Sequence, residues 1–300
     1  MSSLLLMQAV ASGIVTGCVY ALVALSLVII YKSTDVVNFA GGELVMLGAY
    51  VGLLALTFFT LPYVTMIGLS VVIVFAVGAL FERVALNTIT GRRYAAHADL
   101  VPLVVATVGL GYLLKGIVRV VPYTEEVRRL PPLIAGPPLF FGDVILQRQD
   151  LAIVAVTIMV MLALTLFFTF TRAGKALRAT SQNPRAAALI GIPVRRMRMA
   201  AWGLSSAIAA LAGILLAPKL LMTPDMGTVV MLAFAAAIIG GFTSLPGCVI
   251  GGIVLGVVQN LVGVLLSPQA IAVTPFFVIM VVLLLRPQGL LGEALAPKKV

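Results

Sequence analysis

Long apolar runs separated by short polar segments extend along the whole chain. They lie near residues 4–31, 42–60, 62–82, 100–121, 151–170, 199–221, 228–243, 247–266 and 271–285. An apolar run of about 18 residues or more can cross a hydrocarbon core of about 30 Å as a helix. The pattern predicts an all-α fold, a polytopic transmembrane helical bundle of about 8 to 9 spans. The stretch 228–266 fits either two full spans or one span and a re-entrant segment.

The composition agrees with a membrane protein. Hydrophobic residues make up 62% of the chain and charged residues 10%, with a mean hydropathy of +1.18, whereas a typical soluble domain has about 25% charged residues. We therefore exclude a soluble fold and expect one transmembrane domain over residues 1–300. The net charge of +10 does not indicate nucleic-acid binding, because the basic residues stand in loops between apolar runs.

The distribution of lysine and arginine predicts the orientation of the chain. With the N-terminus outside and Lys219 counted in the external turn after the sixth run, fourteen of these residues fall in cytoplasmic segments and four in external ones, leaving Lys115 and Arg119 within a span. This asymmetry satisfies the positive-inside rule. The opposite orientation would place residues 172–198, a segment without acidic residues, outside. We expect a multi-pass protein of the bacterial inner membrane with an external N-terminus and a cytoplasmic C-terminus.

The segment 172–198 is the longest hydrophilic stretch assigned to the cytoplasm, and it contains signals for a short helix. Asn183 suits an N-cap, Pro184 the first helical position, and Gly191 followed by Pro193 the end. These signals predict a helix of about two turns, which is too short to persist alone in water. It must pack either on its own bundle, with nearby basic residues facing lipid, or into a groove on another protein.

Three stretches of the chain resemble the LivH-type permeases of branched-chain amino acid ABC importers. The first is YALVALSLVIIYKSTDVVNFAGGELVMLGAY within residues 17–50, which is similar to the family's first two spans and the NFAHGE-like turn between them. The second is TRAGKALRATSQNPRAAALIGIPV, which resembles the family's loop that contacts the ATPase. The third is AAAIIGGFTSLPGCVIGGIVLGVVQN at 235–260, followed by RPQGLLG at 286–292. The matches run in the family's order over almost the whole chain.

The resemblance implies a permease subunit that works with several partners: a second homologous permease subunit, two cytoplasmic ABC ATPase subunits and a periplasmic solute-binding protein. ATP and Mg would be bound by the ATPases, and we expect no cofactor in this chain. Residues 184–190 resemble the coupling helix, which inserts into a cleft of the ATPase and transmits its closure to the bundle. The predicted coupling residues are Arg178, Asn183, Pro184, Arg185, Ala186, Ala187, Ala188, Leu189, Ile190 and Gly191.

The resemblance leaves the solute open. Branched-chain or related small amino acids are the first expectation, but similar permeases serve urea, amides and other small organic compounds. Gly41 stands where many relatives have histidine, so no imidazole role is carried over to this chain.

Asn38, Gly41, Gly42 and Glu43 are the candidate residues of the solute pathway. They lie at the predicted start of the second span, where an ionisable group is costly unless it faces protein or water. We predict that Asn38 and Glu43 line or brace the path at a helix break. The alternative is local, with Glu43 complementing the positive end of its helix dipole and Asn38 capping backbone donors.

Other charged residues near the spans have simpler explanations. Lys115 and Arg119 lie one turn apart near the outer end of the fourth predicted span, where long side chains reach the headgroups. Asp225 is predicted in a solvated external turn.

Catalytic chemistry finds little support in the sequence. The single histidine, His97, lies in a predicted cytoplasmic loop, and the sequence has neither clustered metal ligands nor a GxxxxGK[ST] phosphate loop. We assign no catalytic or metal residue, and ATP hydrolysis would belong to another subunit. The rival class is an ATPase-independent secondary transporter or channel, whose sign is charged relays within the spans. Only Glu43 fits that pattern.

Overall fold

The computed structural model of the chain describes residues 3–34, 36–59, 61–91, 101–121, 128–142 and 144–292. His97 lies outside these residues. A π-helix, Glu82–Leu86, joins α3 to α4, and 3-10 helices at Met226–Thr228 and Pro268–Ala272 precede α10 and α12. The α-helices of the described residues are α1 Ser3–Thr34, α2 Gly41–Phe59, α3 Tyr63–Phe81, α4 Asn87–Gly91, α5 Val101–Val120, α6 Arg148–Phe170, α7 Arg172–Gln182, α8 Pro184–Leu189, α9 Val194–Leu216, α10 Val229–Gly240, α11 Leu245–Leu265 and α12 Thr274–Leu285.

Each predicted apolar run forms a helix, which confirms the polytopic helical bundle. Within the described residues, 7 helical segments are long and apolar enough to cross a membrane. Helices α10 and α12 have 12 residues each, which gives about 18 Å of rise against about 30 Å of hydrocarbon. Over 228–266, α10 alone therefore covers only part of the bilayer thickness, whereas α11 with its 21 residues covers it fully.

A short β-hairpin, which the sequence pattern did not predict, lies before α6. Strand β1, Leu139–Phe141, pairs antiparallel with β2, Val144–Leu146. The Gln8 side chain in α1 donates to the carbonyl oxygen of Ile145 and accepts from its N–H, each at 2.9 Å. Strands of three residues are too short to give a readable alternation of polar and apolar positions.

The chain forms two compact units, and the first comprises Met1–Val28, Ile134–Ile158 and Val229–Val300. Glycines of α11 let its neighbours approach closely. A methyl group added at Gly252 would lie 2.7 Å from the Gly17 oxygen in α1, and one added at Gly251 would lie 2.5 Å from the Gly240 nitrogen in α10. Without side chains at these positions, the helices of this unit pack closely together.

The second unit comprises Ile29–Leu133 and Met159–Thr228, and α9 packs there against both α2 and α3. Trp202 of α9 is 0% exposed and forms a core cluster with Ile30 and Leu86. Its ring centroid lies 5.4 Å from that of Phe81. This core fixes the end of α3 against the beginning of α9. The prediction of one domain over residues 1–300 stays a prediction.

Candidate functional site

Asn38 lies in an irregular segment, residues 36–40, between α1 and α2, and it is buried. Its side-chain oxygen accepts a hydrogen bond from the Ala40 N–H at 3.0 Å. The neighbouring Phe39 N–H donates to Thr107 Oγ1 at 3.3 Å. Because Thr107 lies about a third of the way along the 20-residue α5, the segment runs beside the interior of a membrane-spanning helix and not beside its end. The chain is thus irregular between α1 and α2, and this irregular segment lies beside α5.

Glu43 stands in the first turn of α2, beside Gly111 and Lys115 of α5. A methyl group at Gly111 would lie 3.3 Å from the Glu43 carboxylate carbon, so this glycine leaves room for the carboxylate. Glu43 Oε1 lies 4.0 Å from Lys115 Nζ. Glu43 Oε2 is buried and has no hydrogen-bond partner among the described residues. A buried carboxylate oxygen without a donor is costly, which marks this residue as more than a helix-start charge.

Lys115 connects Glu43 to Asp225. Its Nζ donates to Asp225 Oδ1 at 3.0 Å, and its side chain is only 26% exposed. Arg119 contacts the same aspartate, with 4.0 Å between its Nη2 atom and Asp225 Oδ2. The Lys115 ammonium therefore pairs with protein carboxylates, which replaces the snorkelling predicted for it. Asp225 remains 64% exposed but is not a purely solvated turn residue.

A cavity of about 180 Å³ adjoins the Glu43 and Lys115 side chains. Its lining residues are Phe39, Glu43, Val108, Gly111, Tyr112 and Lys115. One wall thus carries opposite charges and the others are apolar, as in many small-molecule sites. Sequence analysis found Glu43 but missed Lys115 as its partner. The available signal was the spacing of Gly111 and Lys115, which places a small residue and a cation on one helix face.

The two glycines before Glu43 serve the backbone packing behind this cavity. Gly42 lies against Gly227, where a methyl group added to Gly227 would stand 2.9 Å from the Gly42 carbonyl carbon. Gly41 is buried, and its N–H donates to the main-chain carbonyl oxygen of Asn38 at 3.4 Å. Asn38, Gly41 and Gly42 thus support the break, whereas Glu43 reaches the cavity. Their place on a solute pathway stays a prediction.

A second candidate region is the segment that contains α7 and α8. Thr171 caps α7 by accepting from the Gly174 N–H at 2.9 Å. Asn183 caps α8 by accepting from the Ala186 N–H at 3.0 Å, with Pro184 in the first turn. Gly191 follows α8 with a φ of 83°, a left-handed conformation that glycine adopts readily. The predicted short helix and its caps are confirmed, and α7 is a further helix before it.

Helix α8 is almost entirely exposed. Leu189 and Ile190 are 89% and 75% exposed, while Ala187 alone within α8 is buried. Arg185 is also exposed and adds a positive charge beside this apolar end. Helix α8 thus has one buried residue, Ala187, and is followed or ended by two large apolar side chains that are exposed. Exposed apolar side chains of this kind are typical of a docking element.

Beneath this segment, a buried ion pair joins α9 to the end of α3. Arg198 Nε lies 3.3 Å from Glu82 Oε1, and the Glu82 side chain is 1% exposed. Glu82 opens the π-helix Glu82–Leu86, a widened turn of the kind that often accompanies functional sites. Arg198 lies in the first turns of α9, so the pair connects α3 to the helix that follows α8 in the chain.

The 7 helical segments of membrane-spanning length within the described residues define a polytopic membrane protein. The chain belongs to the family of the branched-chain amino acid transport system / permease component, whose sequence model matches residues 9–285.

Individual relatives match over nearly the full length. The permease protein BraD of the high-affinity branched-chain amino acid transport system of Pseudomonas aeruginosa is 30% identical over 96% of both chains. The corresponding LivH of Salmonella typhimurium is 33% identical over 96% of both chains. A probable LivH of Methanocaldococcus jannaschii is 29% identical over 93% of this chain and 90% of its own length. A solved structure, PsaBC from Streptococcus pneumoniae in complex with Fab, has a TM-score of 0.47 at 14% identity, covering 92% of this chain and 90% of that one. That likeness is too low to define a fold on its own.

Proposed function

We propose that this chain is the permease subunit of an ATP-driven ABC importer that moves branched-chain or related small amino acids across the bacterial inner membrane. Membership of the permease family supports the transport role. The solute class is supported by full-length similarity to permease proteins of high-affinity branched-chain amino acid transport systems.

The observation that carries the ATP-driven mechanism is the exposure of α8. Leu189 and Ile190 project from a capped helix that contacts the rest of the chain through Ala187. Apolar side chains left this open gain from burial, by about 1.5–3 kcal/mol for each one fully buried. A cleft in a cytoplasmic ATPase is the partner we assign to them, with Arg185 orienting the contact.

Motion would pass from α8 into the bundle through its neighbours. Closure of two ATPase subunits moves α8, the following helix α9 moves with it, and the Arg198–Glu82 pair transmits the displacement to α3. Since α9 also packs against α2, the displacement reaches the helix that carries Glu43. A periplasmic binding protein delivers the solute, and a second homologous permease subunit forms the other half of the path. The N-terminus is external and the C-terminus cytoplasmic.

Reconstitution with the neighbouring subunits tests the proposal. Proteoliposomes that contain ATP are given labelled leucine, and ATP hydrolysis is measured in parallel. The double variant Leu189→Glu/Ile190→Glu should lose at least tenfold of ATP-driven uptake and of ATPase recovery on co-purification. Ala173→Glu, which adds charge at an exposed position of α7, is the matched control and should retain both.

Contrary outcomes are distinct. Gradient-driven uptake by the chain alone would favour the secondary transporter. ATP-driven uptake that urea or amides inhibit better than leucine does would keep the importer and change the solute. Unchanged coupling in the double variant would contradict the role of α8.

A further inference from the structure

The strongest unassigned site is the cavity between Glu43 and Lys115. The two groups face each other at 4.0 Å, beyond hydrogen-bond length, although each is largely buried. A lysine ammonium has three N–H donors, and Asp225 takes one of them at 3.0 Å. Glu43 Oε2 accepts none from the described residues. One wall of the open cavity thus carries an ammonium with further N–H donors, on Lys115, and a carboxylate oxygen that still lacks a donor, on Glu43.

We propose that this cavity binds the zwitterionic backbone of an α-amino acid, with its carboxylate on Lys115 and its ammonium on Glu43. The proposal rests on the transport function proposed above and adds the residues that recognise the solute. The charges of a zwitterion are separated by about one hydrogen-bond length, so it can lie alongside the Glu43–Lys115 pair with each end against its opposite. Each contact would be a charge-assisted hydrogen bond in a partly desolvated site.

The charge pattern excludes other solute classes from tight binding. A neutral amide or urea brings no charge to pair with either Glu43 or Lys115. A simple amine satisfies only Glu43, and a simple carboxylic acid satisfies only Lys115. A site built to pair a polar group discriminates strongly against an analogue that lacks it, because its own buried group then stays unpaired.

The rest of the cavity suits an apolar side chain of modest size. Phe39, Val108 and Tyr112 form its other walls. A volume of about 180 Å³ is well below that of a drug-sized pocket, which starts at about 300 Å³. Gly111 keeps the charged wall open, because any larger residue would crowd the Glu43 carboxylate.

Direct binding to the complete transporter in nanodiscs, without the solute-binding protein, tests the site. We expect labelled leucine to bind at least tenfold more tightly than 3-methylbutylamine or 4-methylpentanoate, which each lack one charge. Glu43→Gln and Lys115→Met should each weaken leucine binding at least tenfold. Arg119→Gln removes a charge one turn away, outside the cavity, and should stay within twofold of the parent.

A second variant separates recognition from folding, because Lys115→Met also removes the bond to Asp225. Val108→Phe leaves all charges in place and fills the cavity. It should weaken leucine binding more than alanine binding while the unfolding temperature stays unchanged. Equal leucine binding by the parent and all three cavity variants would overturn the site, as would equal affinity for leucine and for the amine. ATP-driven leucine uptake by the parent is measured separately, so its absence would contradict the proposed function and not the binding site.

Discussion

The Nε atom of Arg198 lies 3.3 Å from Oε1 of Glu82, whose side chain is 1% exposed. This contact joins the beginning of α9 to the π-helix after α3. Neither Arg198 Nε nor Glu82 Oε2 has a hydrogen-bond partner among the described residues. Charge compensation between the two groups therefore contributes to the stability of this junction.

Removing one member of this pair should be costly, and removing both should be much less so. Arg198→Gln alone should lower stability by about 3–5 kcal/mol, because the Glu82 carboxylate is left buried, and Glu82→Gln alone should cost less, because the Arg198 side chain is 23% exposed. The double substitution Glu82→Gln/Arg198→Gln should recover most of the loss. The single tryptophan, Trp202, lies in the adjacent core and reports unfolding by fluorescence. Additive losses in the double variant would contradict a coupled pair.

The contact between Gly42 and Gly227 predicts sensitivity to one methyl group. Gly42→Ala places its Cβ against the Gly227 backbone, which cannot move aside as a flexible side chain can. We expect a loss of about 1–3 kcal/mol from overpacking. Gly109→Ala, where a Cβ meets nothing within 4 Å, is the matched control and should be neutral or stabilising by up to about 1 kcal/mol. Thermal unfolding in detergent compares the two variants.

Proline at position 187 should uncouple ATP hydrolysis from uptake. The Ala187 N–H donates to the main-chain carbonyl oxygen of Asn183 at 3.0 Å, and Ala187→Pro removes this bond from the middle of α8. Insertion into the membrane and ATPase turnover should persist while leucine uptake falls at least tenfold. Ala187→Ser keeps the N–H and nearly the same volume, and it should transport normally. Coupled uptake in the proline variant would count against α8 as the transmitting element.

Cysteine labelling in intact cells tests the predicted orientation. Native Cys18 and Cys248 are both buried, so the background should be low. Ala188→Cys should react with a membrane-impermeant maleimide only after the cells are permeabilised. Leu221→Cys, at an exposed position after α9, should react in intact cells. The reverse pattern would invert the topology and exclude a cytoplasmic partner for α8.

Local features of this protein followed from its sequence far better than contacts between distant segments. The caps of α8 depend on Asn183, Pro184 and Gly191, which lie within nine positions of one another, and backbone geometry alone requires these residue types. The π-helix after α3 has no such local signal in the sequence. The hairpin strands were too short to show an alternation of polar and apolar positions.

The charged wall of the cavity shows most clearly which contacts could not be predicted from the sequence. Asn38 and Glu43 were identified as polar residues in an apolar context, and the structure places Asn38 in the irregular segment before α2 and Glu43 in the first turn of α2. Lys115 and Asp225 were assigned to headgroups and solvent, because a single side chain near a helix end fits that explanation. Their pairing joins positions that are 110 residues apart. Such a contact depends on the packing of α5 against the beginning of α2, which sequence periodicity does not report.

The open position of Leu189 and Ile190 also affects the life of the protein before assembly. A copy without a partner on α8 displays two large apolar side chains, which are 89% and 75% exposed. Chaperones and proteases act on exposed apolar surface of this kind. Cells that lack the proposed ATPase partner should therefore hold fewer copies of this chain. The exposed end of α8 would then also set how many complete transporters are made.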